Sequence, residues 1–190
     1  GFESVHWALD AGADLRADKQ LRLWGAGSDR RLVAELMRRA ASEGLPPLAH
    51  LPPRVDAVAE MNGLFWADRH HSSAEGYFPQ MSLLDQLASH YADAHFVLNV
   101  RDHARWVRSV DGHNDLRRRL VCADLPGLPS GAGVHDSQLV HWAAAHHHRV
   151  QDVLGRRGAR LLVFDIERHG ERELSAFLGR PVTWGHHNIS

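Results

Sequence analysis

The sequence predicts an α/β domain: a mainly parallel β-sheet flanked by helices, in three layers. Three observations carry that expectation. His95–Val100, HFVLNV, is an apolar, β-favouring run suited to a strand buried on both faces, and it passes directly into a helical pattern, RDHARWVRSV. Ala159–Glu167, ARLLVFDIE, is a second run of the same character. Strand and helix patterns alternate along the chain, as crossover connections on a parallel sheet require.

Taken in order, Glu3–Trp7 reads as a short strand and Asp10–Asp18, small and polar, as a loop. Ser28 or Asp29 is an expected N-cap for a helix carrying Leu32, Val33, Leu36 and Met37, which stops near Gly44 ahead of Pro46 and Pro47. Val55–Met61 is a predicted strand with Glu60 at its end. Gly63–Gly76 mixes aromatics, histidines and turn formers, and is read as a loop or short helix lining a substrate cleft. Pro79 suits the first turn of a helix whose apolar face is Leu83, Leu84, Leu87 and Tyr91. Beyond the central strand and its helix, the Arg117-Arg118-Arg119 run is expected to be a solvated helix face. The alternative is that it reaches a nucleotide or an acidic acceptor. Val121–Val134, rich in Pro and Gly, is a predicted lid. Asp136 or Ser137 should cap a long helix to about Leu154, with Leu139, Trp142, Val150 and Val153 in the core, and Gly155 and Gly158 should end it. A last helix from Gly170 or Glu171 closes at Gly179-Arg180-Pro181. No internal repeat or linker divides residues 1–190, so a single domain is expected.

A net charge of -1 argues against a general nucleic-acid or membrane-surface binder. Lys19 is the only lysine, so basic charge is almost all arginine, which favours planar contacts to phosphate or carboxylate. The lone cysteine, Cys122, excludes an intramolecular disulfide and is compatible with a cytoplasmic setting. Despite 16 histidines, no metal is expected. His146, His147 and His148 are consecutive on a predicted helix and point in different directions, and His141 is not spaced i, i+4 from them.

The junction at Arg101 carries the chemistry. A strand that runs straight into a helix puts Arg101 at the carboxyl edge of the sheet, where open α/β folds bind ligands, and Ser109 follows about two helical turns on. Strand, Arg101, seven residues and Ser109 together resemble the segment of sulfotransferases that grips the 3′-phosphate of 3′-phosphoadenosine 5′-phosphosulfate. Val55–Val58 resembles that family's second strand, Phe78-Pro79-Gln80 its approach to the phosphate strand, and Ala159–Glu167 with Leu174–Leu178 and Asn188 the end of bacterial-type members. The resemblance implies a P-loop NTPase-like sulfotransferase fold. It also implies transfer of a sulfuryl group from that donor to a hydroxyl or amine of a small-molecule or carbohydrate acceptor.

By the same resemblance, Arg101 and Ser109 bind the cofactor's 3′-phosphate. Asp102, unfavourable beside a phosphate, should face away as a helix N-cap. The family places a histidine or carboxylate on the acceptor side as general base, and Glu60, His70 and His71 are the candidates here. Otherwise Glu60 is a structural carboxylate and the two histidines are solvated loop residues. The family's glycine-rich 5′-phosphosulfate loop should carry a basic residue and hydroxyls at a helix N-terminus. Gly25-Ala26-Gly27-Ser28 lacks the basic residue and is read as a turn, so the chain is expected to lack that loop at its N-terminus. Two alternatives stay open: a nucleotide-kinase-like P-loop phosphotransferase, and a non-catalytic nucleotide-binding or interaction module without the loop. The sequence does not specify the acceptor or the oligomeric state.

Overall fold

Helices and small sheets build the chain in a computed structural model that describes residues 4–6, 8–10 and 30–183, with side chains from Leu32 onward. The expected loop at 10–18, the caps Ser28 and Asp29, Gly25–Ser28 and Asn188 lie wholly or largely outside the described residues. Among the described residues, the strands fall into three sheets and do not join into the single parallel sheet that alternation predicts. β1 (Ser4–His6), β2 (Ala8–Asp10), β3 (Arg30–Leu32) and β4 (Ala57–Ala59) form one in the order β3-β2-β1-β4, with only the β1–β4 pair parallel. β5 (Gly63–Trp66) and β6 (Ala74–Tyr77) pair antiparallel, and β7 (His95–Val100) and β8 (Arg160–Asp165) pair parallel.

The helix α1 (Val33–Ser42) begins directly after β3, with extended Leu32 as its N-cap instead of Ser28 or Asp29. It stops where expected, at Gly44, whose φ of +69° costs a residue without a Cβ little. Gly63–Gly76, expected as a loop or short helix, is mostly the β5–β6 hairpin. Its turn is tied by the Asp68 carboxylate, which accepts from the backbone N–H of His70, Ser72 and Ser73 and from both serine hydroxyls. The Ser72 and Ser73 donors hold that carboxyl well below the usual range, the Ser73 hydroxyl foremost.

The helix expected from Pro79 is broken into α2 (Pro79–Ser82) and α3 (Leu84–His90), with Leu83 between them outside helical geometry. β7 then runs in one-to-one register with β8, from His95 opposite Arg160 to Val100 opposite Asp165. β7 is not buried on both faces as its composition predicts. Leu98 is buried and Phe96 and Val100 partly so, whereas His95, Val97 and Asn99 are exposed. The covered face packs against Leu84 and Ala88 of α3 and against Val150, Val153 and Leu154 of the long helix α6 (Asp136–Arg156).

α4 (His103–Gly112) is capped by Asp102, whose Oδ1 accepts from Arg105 N at 2.9 Å, so its carboxylate faces the helix start as expected. α5 (Leu116–Cys122) follows, and α7 (Glu171–Leu178) ends at Gly179 as predicted. The expected lid, Val121–Val134, is anchored instead. Leu125 and Leu128 are buried and hydrogen-bond each other's backbones, and the Trp142 indole donates to Pro126 O at 2.8 Å. The arginine run is not a solvated face. Arg117 bonds Asp111, Asp136 and the Gly133 and Val134 carbonyls, Arg118 reaches His71 O and lies over Trp66, and Arg119 bonds Leu64 O. α5 is thus fastened to the hairpin on one side and to the start of α6 on the other.

Candidate functional site

The sheet edge at the end of β7 opens on a cavity of about 400 Å³. Three elements build it. β7 delivers Asn99, Val100 and Arg101; the Phe78–Met81 segment supplies Gln80 at the start of α2; α6 brings Trp142, His146 and His147 across from the other side. Trp106 and His103 of α4 and Ile166 after β8 complete the wall. α6 can cross here because its apolar positions, Leu139, Trp142, Val150 and Val153, recur on one face and are buried.

Arg101 is the cation of this cavity. Its side chain is 31% exposed, yet Nε is buried and makes no hydrogen bond. Glu167 Oε1 stands 3.8 Å away, an attraction between charges but too long for a hydrogen bond. Glu167 is held there by a fixed turn. Ile166 N extends the β7–β8 ladder to Val100 O, and Asp165 Oδ1 accepts from Glu167 N at 2.9 Å. A buried guanidinium N–H with no acceptor is a costly state that an oxyanion would relieve. Gln80 Oε1 is likewise buried without a partner on the cavity wall.

The histidines behave differently. Burial, then the charges of His147 and Arg149, pushes His146 down to about 4. Burial, then His103, also lowers His147, whose ring stacks on that of His103 at 5.8 Å. Both therefore favour the neutral form near pH 7. Among the described residues, no group of three or more His, Cys, Asp or Glu is arranged to hold a metal ion.

Of the five residues given a catalytic or cofactor-binding role from sequence (Arg101, Ser109, Glu60, His70 and His71), the structure brings Arg101 alone to this cavity. Ser109 lies on the exposed side of α4 and does not line it. Glu60, at φ +46° just past β4, and His70 and His71, at the exposed hairpin turn, do not line it either. His71 instead stacks on Trp66 at 4.8 Å. Sequence reasoning missed Gln80, His103, His146 and His147 as neighbours of Arg101. For His146 the advance signal was the phase of α6, where it lies one turn beyond the core residue Trp142, and for Gln80 it was the Phe78-Pro79-Gln80 resemblance.

Comparison with known proteins agrees with the junction. Residues 70–125 match the family model of a sulfotransferase domain, a stretch that contains β7, Arg101, α4 with Ser109, and α5. The match covers under a third of the chain and makes that stretch similar to a sulfotransferase domain. No curated protein and no solved structure matches the chain.

Proposed function

From the match of residues 70–125 to a sulfotransferase domain, we propose that residues 1–190 belong to one sulfotransferase domain, which binds 3′-phosphoadenosine 5′-phosphosulfate through Arg101 and passes its sulfuryl group to a hydroxyl or amine of a small molecule or carbohydrate. The observation that carries this is the unpartnered, buried Arg101 Nε at the carboxyl edge of β7. When bound, the nucleotide supplies an activated sulfuryl group joined to a phosphate leaving group.

The chain's residues do the rest. Arg101 offers a permanently charged planar fork suited to a phosphate. Glu167, within 3.8 Å, holds the guanidinium until an oxyanion competes for it. Asp102 spends its carboxylate on capping α4, which keeps that negative charge on the helix start. We place the protein in the cytoplasm, a compartment with which the lone Cys122 is compatible. Among the described residues no helix is long and apolar enough to cross a membrane.

Calorimetric titration of the full chain with adenosine 3′,5′-bisphosphate, beside adenosine 5′-monophosphate, tests this. Tight binding that requires both the 3′-phosphate and Arg101 is expected. Equal affinity for the two nucleotides would refute it and favour a kinase-like or non-catalytic role.

A further inference from the structure

Glu167, the carboxylate that faces Arg101, sits in the turn between β8 and α7, and both ends of that turn are tied down. At its start Ile166 N donates to Val100 O at 3.0 Å, and at its end Gly170 N donates to Glu173 Oε2 at 2.8 Å. Inside it Glu167 N and Arg168 N return to Asp165, at 2.9 Å to Oδ1 and 3.1 Å to O. Glu167 Oε1 then stands 3.8 Å from Arg101 Nε and 3.4 Å from Arg105 Nη1, so one oxygen faces both guanidinium groups. An anion that binds Arg101 has to take that place from it.

His169 is the side chain that closes this turn. Val100 O takes the N–H of Ile166, so the N–H and C=O of Asp165, one residue earlier, point to the opposite edge of β8, which no strand covers among the described residues. His169 satisfies both groups: its Nδ1 accepts from Asp165 N at 3.0 Å, and its own N–H donates to Asp165 O at 2.8 Å. Its ring also packs on the fully buried Phe164, with centroids 5.6 Å apart. A backbone N–H can only donate, so Nδ1 is the bare nitrogen and Nε2 carries the ring proton.

We propose that His169 is a positioning residue: by accepting the Asp165 N–H, its Nδ1 holds Glu167 in front of Arg101 and so sets how hard an incoming phosphate must compete. This rests on the anion-binding role given to Arg101 above. His169 touches neither Arg101 nor the anion, and it acts through the turn alone.

The test measures affinity of the full chain for inorganic phosphate, by phosphorus NMR, and for adenosine 3′,5′-bisphosphate, by calorimetry. His169→Leu removes the acceptor, and both anions should bind about two- to fivefold tighter, the upper figure being the factor that one lost neutral hydrogen bond is worth. His169→Asn places an amide oxygen near the position of Nδ1 and should stay within about 1.5-fold of the unaltered chain. The tightening caused by Glu167→Gln should shrink by the same two- to fivefold, roughly, when it is made on His169→Leu. A merely structural histidine would lower the melting temperature and leave that coupling at zero. Should His169→Leu fail to fold, long-range proton–nitrogen NMR of the unaltered chain decides, since the neutral ring should carry its proton on Nε2. A proton on Nδ1, additive His169 and Glu167 effects, His169→Asn behaving like His169→Leu, or no gain in phosphate affinity would overturn the proposal. The coupling seen with phosphate, in a chain that does not prefer the bisphosphate to adenosine 5′-monophosphate, would uphold His169 and refute the sulfotransferase reading. Arg101-dependent bisphosphate binding with additive effects would do the reverse, so the two failures are separable.

Discussion

Replacing Arg117 by methionine should destabilise the fold by about 2–3 kcal/mol, from the sum of contacts it breaks. Its guanidinium donates to Gly133 O at 3.2 Å and Val134 O at 3.1 Å, and to Asp136 Oδ1 at 2.7 Å, besides a two-point contact with Asp111. Arg117 is 21% exposed, whereas Asp111 and Asp136 are 48% and 75% exposed. Solvent screens both ion pairs, so each contributes about 0.5 kcal/mol. The two carbonyls lose a charged donor, at about 1 kcal/mol each. With a urea m-value near 2 kcal/mol/M for a domain of this size, the midpoint should fall by roughly 1–1.5 M. Arg117→Lys should recover little, because an ammonium cannot span four acceptors as the planar fork does. Asp136→Asn, measured alone and with Arg117→Met, should show a coupling below about 1 kcal/mol. A loss under about 0.5 kcal/mol for Arg117→Met would refute the reasoning and return the arginine run to a solvated helix face.

Three further outcomes follow from particular contacts. Gly76→Ala would place a Cβ 2.4 Å from Leu125 Cδ2 and 3.0 Å from Leu64 Cδ1, so overpacking should cost about 1–3 kcal/mol in chemical denaturation. His146 sits at about 4 in the fold against 6.5 for a free histidine, so its effect is absent above pH 6.5, and stability is lost as pH falls from there toward 4. After a discount for partial exposure, the loss is on the order of 1 kcal/mol, and thermal melts across that window should show a shallower pH slope in His146→Gln. Glu167→Gln removes the carboxylate facing Arg101 at 3.8 Å, and should tighten adenosine 3′,5′-bisphosphate binding by about three- to tenfold in calorimetry. Unchanged or weaker binding would show that Glu167 does not compete for Arg101.

Local patterns carried most of what the sequence revealed. β7 announces itself by six strand-favouring residues and stops where Asp102 starts capping α4, both local signals. α6 is legible from the spacing of Leu139, Trp142, Val150 and Val153, although its N-terminus forms at His135, where Gln138 Oε1 accepts from both Gly133 N and His135 N. The β5–β6 hairpin was hidden because its turn depends on Asp68 gathering donors from His70 to Ser73, a pattern that reads as polar loop. Sheet burial was misjudged at β7, whose apolar run suits two covered faces while Val97 is 41% exposed. The cavity was least legible. Gln80, Arg101 and His146 are far apart in sequence, and only the packing of α6 over β7 brings them together.

The central claim is that Arg101 recognises a 3′-phosphate, and a double-difference cycle tests it most directly. Affinities of adenosine 3′,5′-bisphosphate and adenosine 5′-monophosphate are measured by calorimetry on the full chain, with Arg101 and with Arg101→Ala. A charge-assisted hydrogen bond predicts a coupling of about 1.5–3 kcal/mol between the 3′-phosphate and Arg101. A coupling near zero, with both nucleotides weakened equally or not at all, would contradict the account.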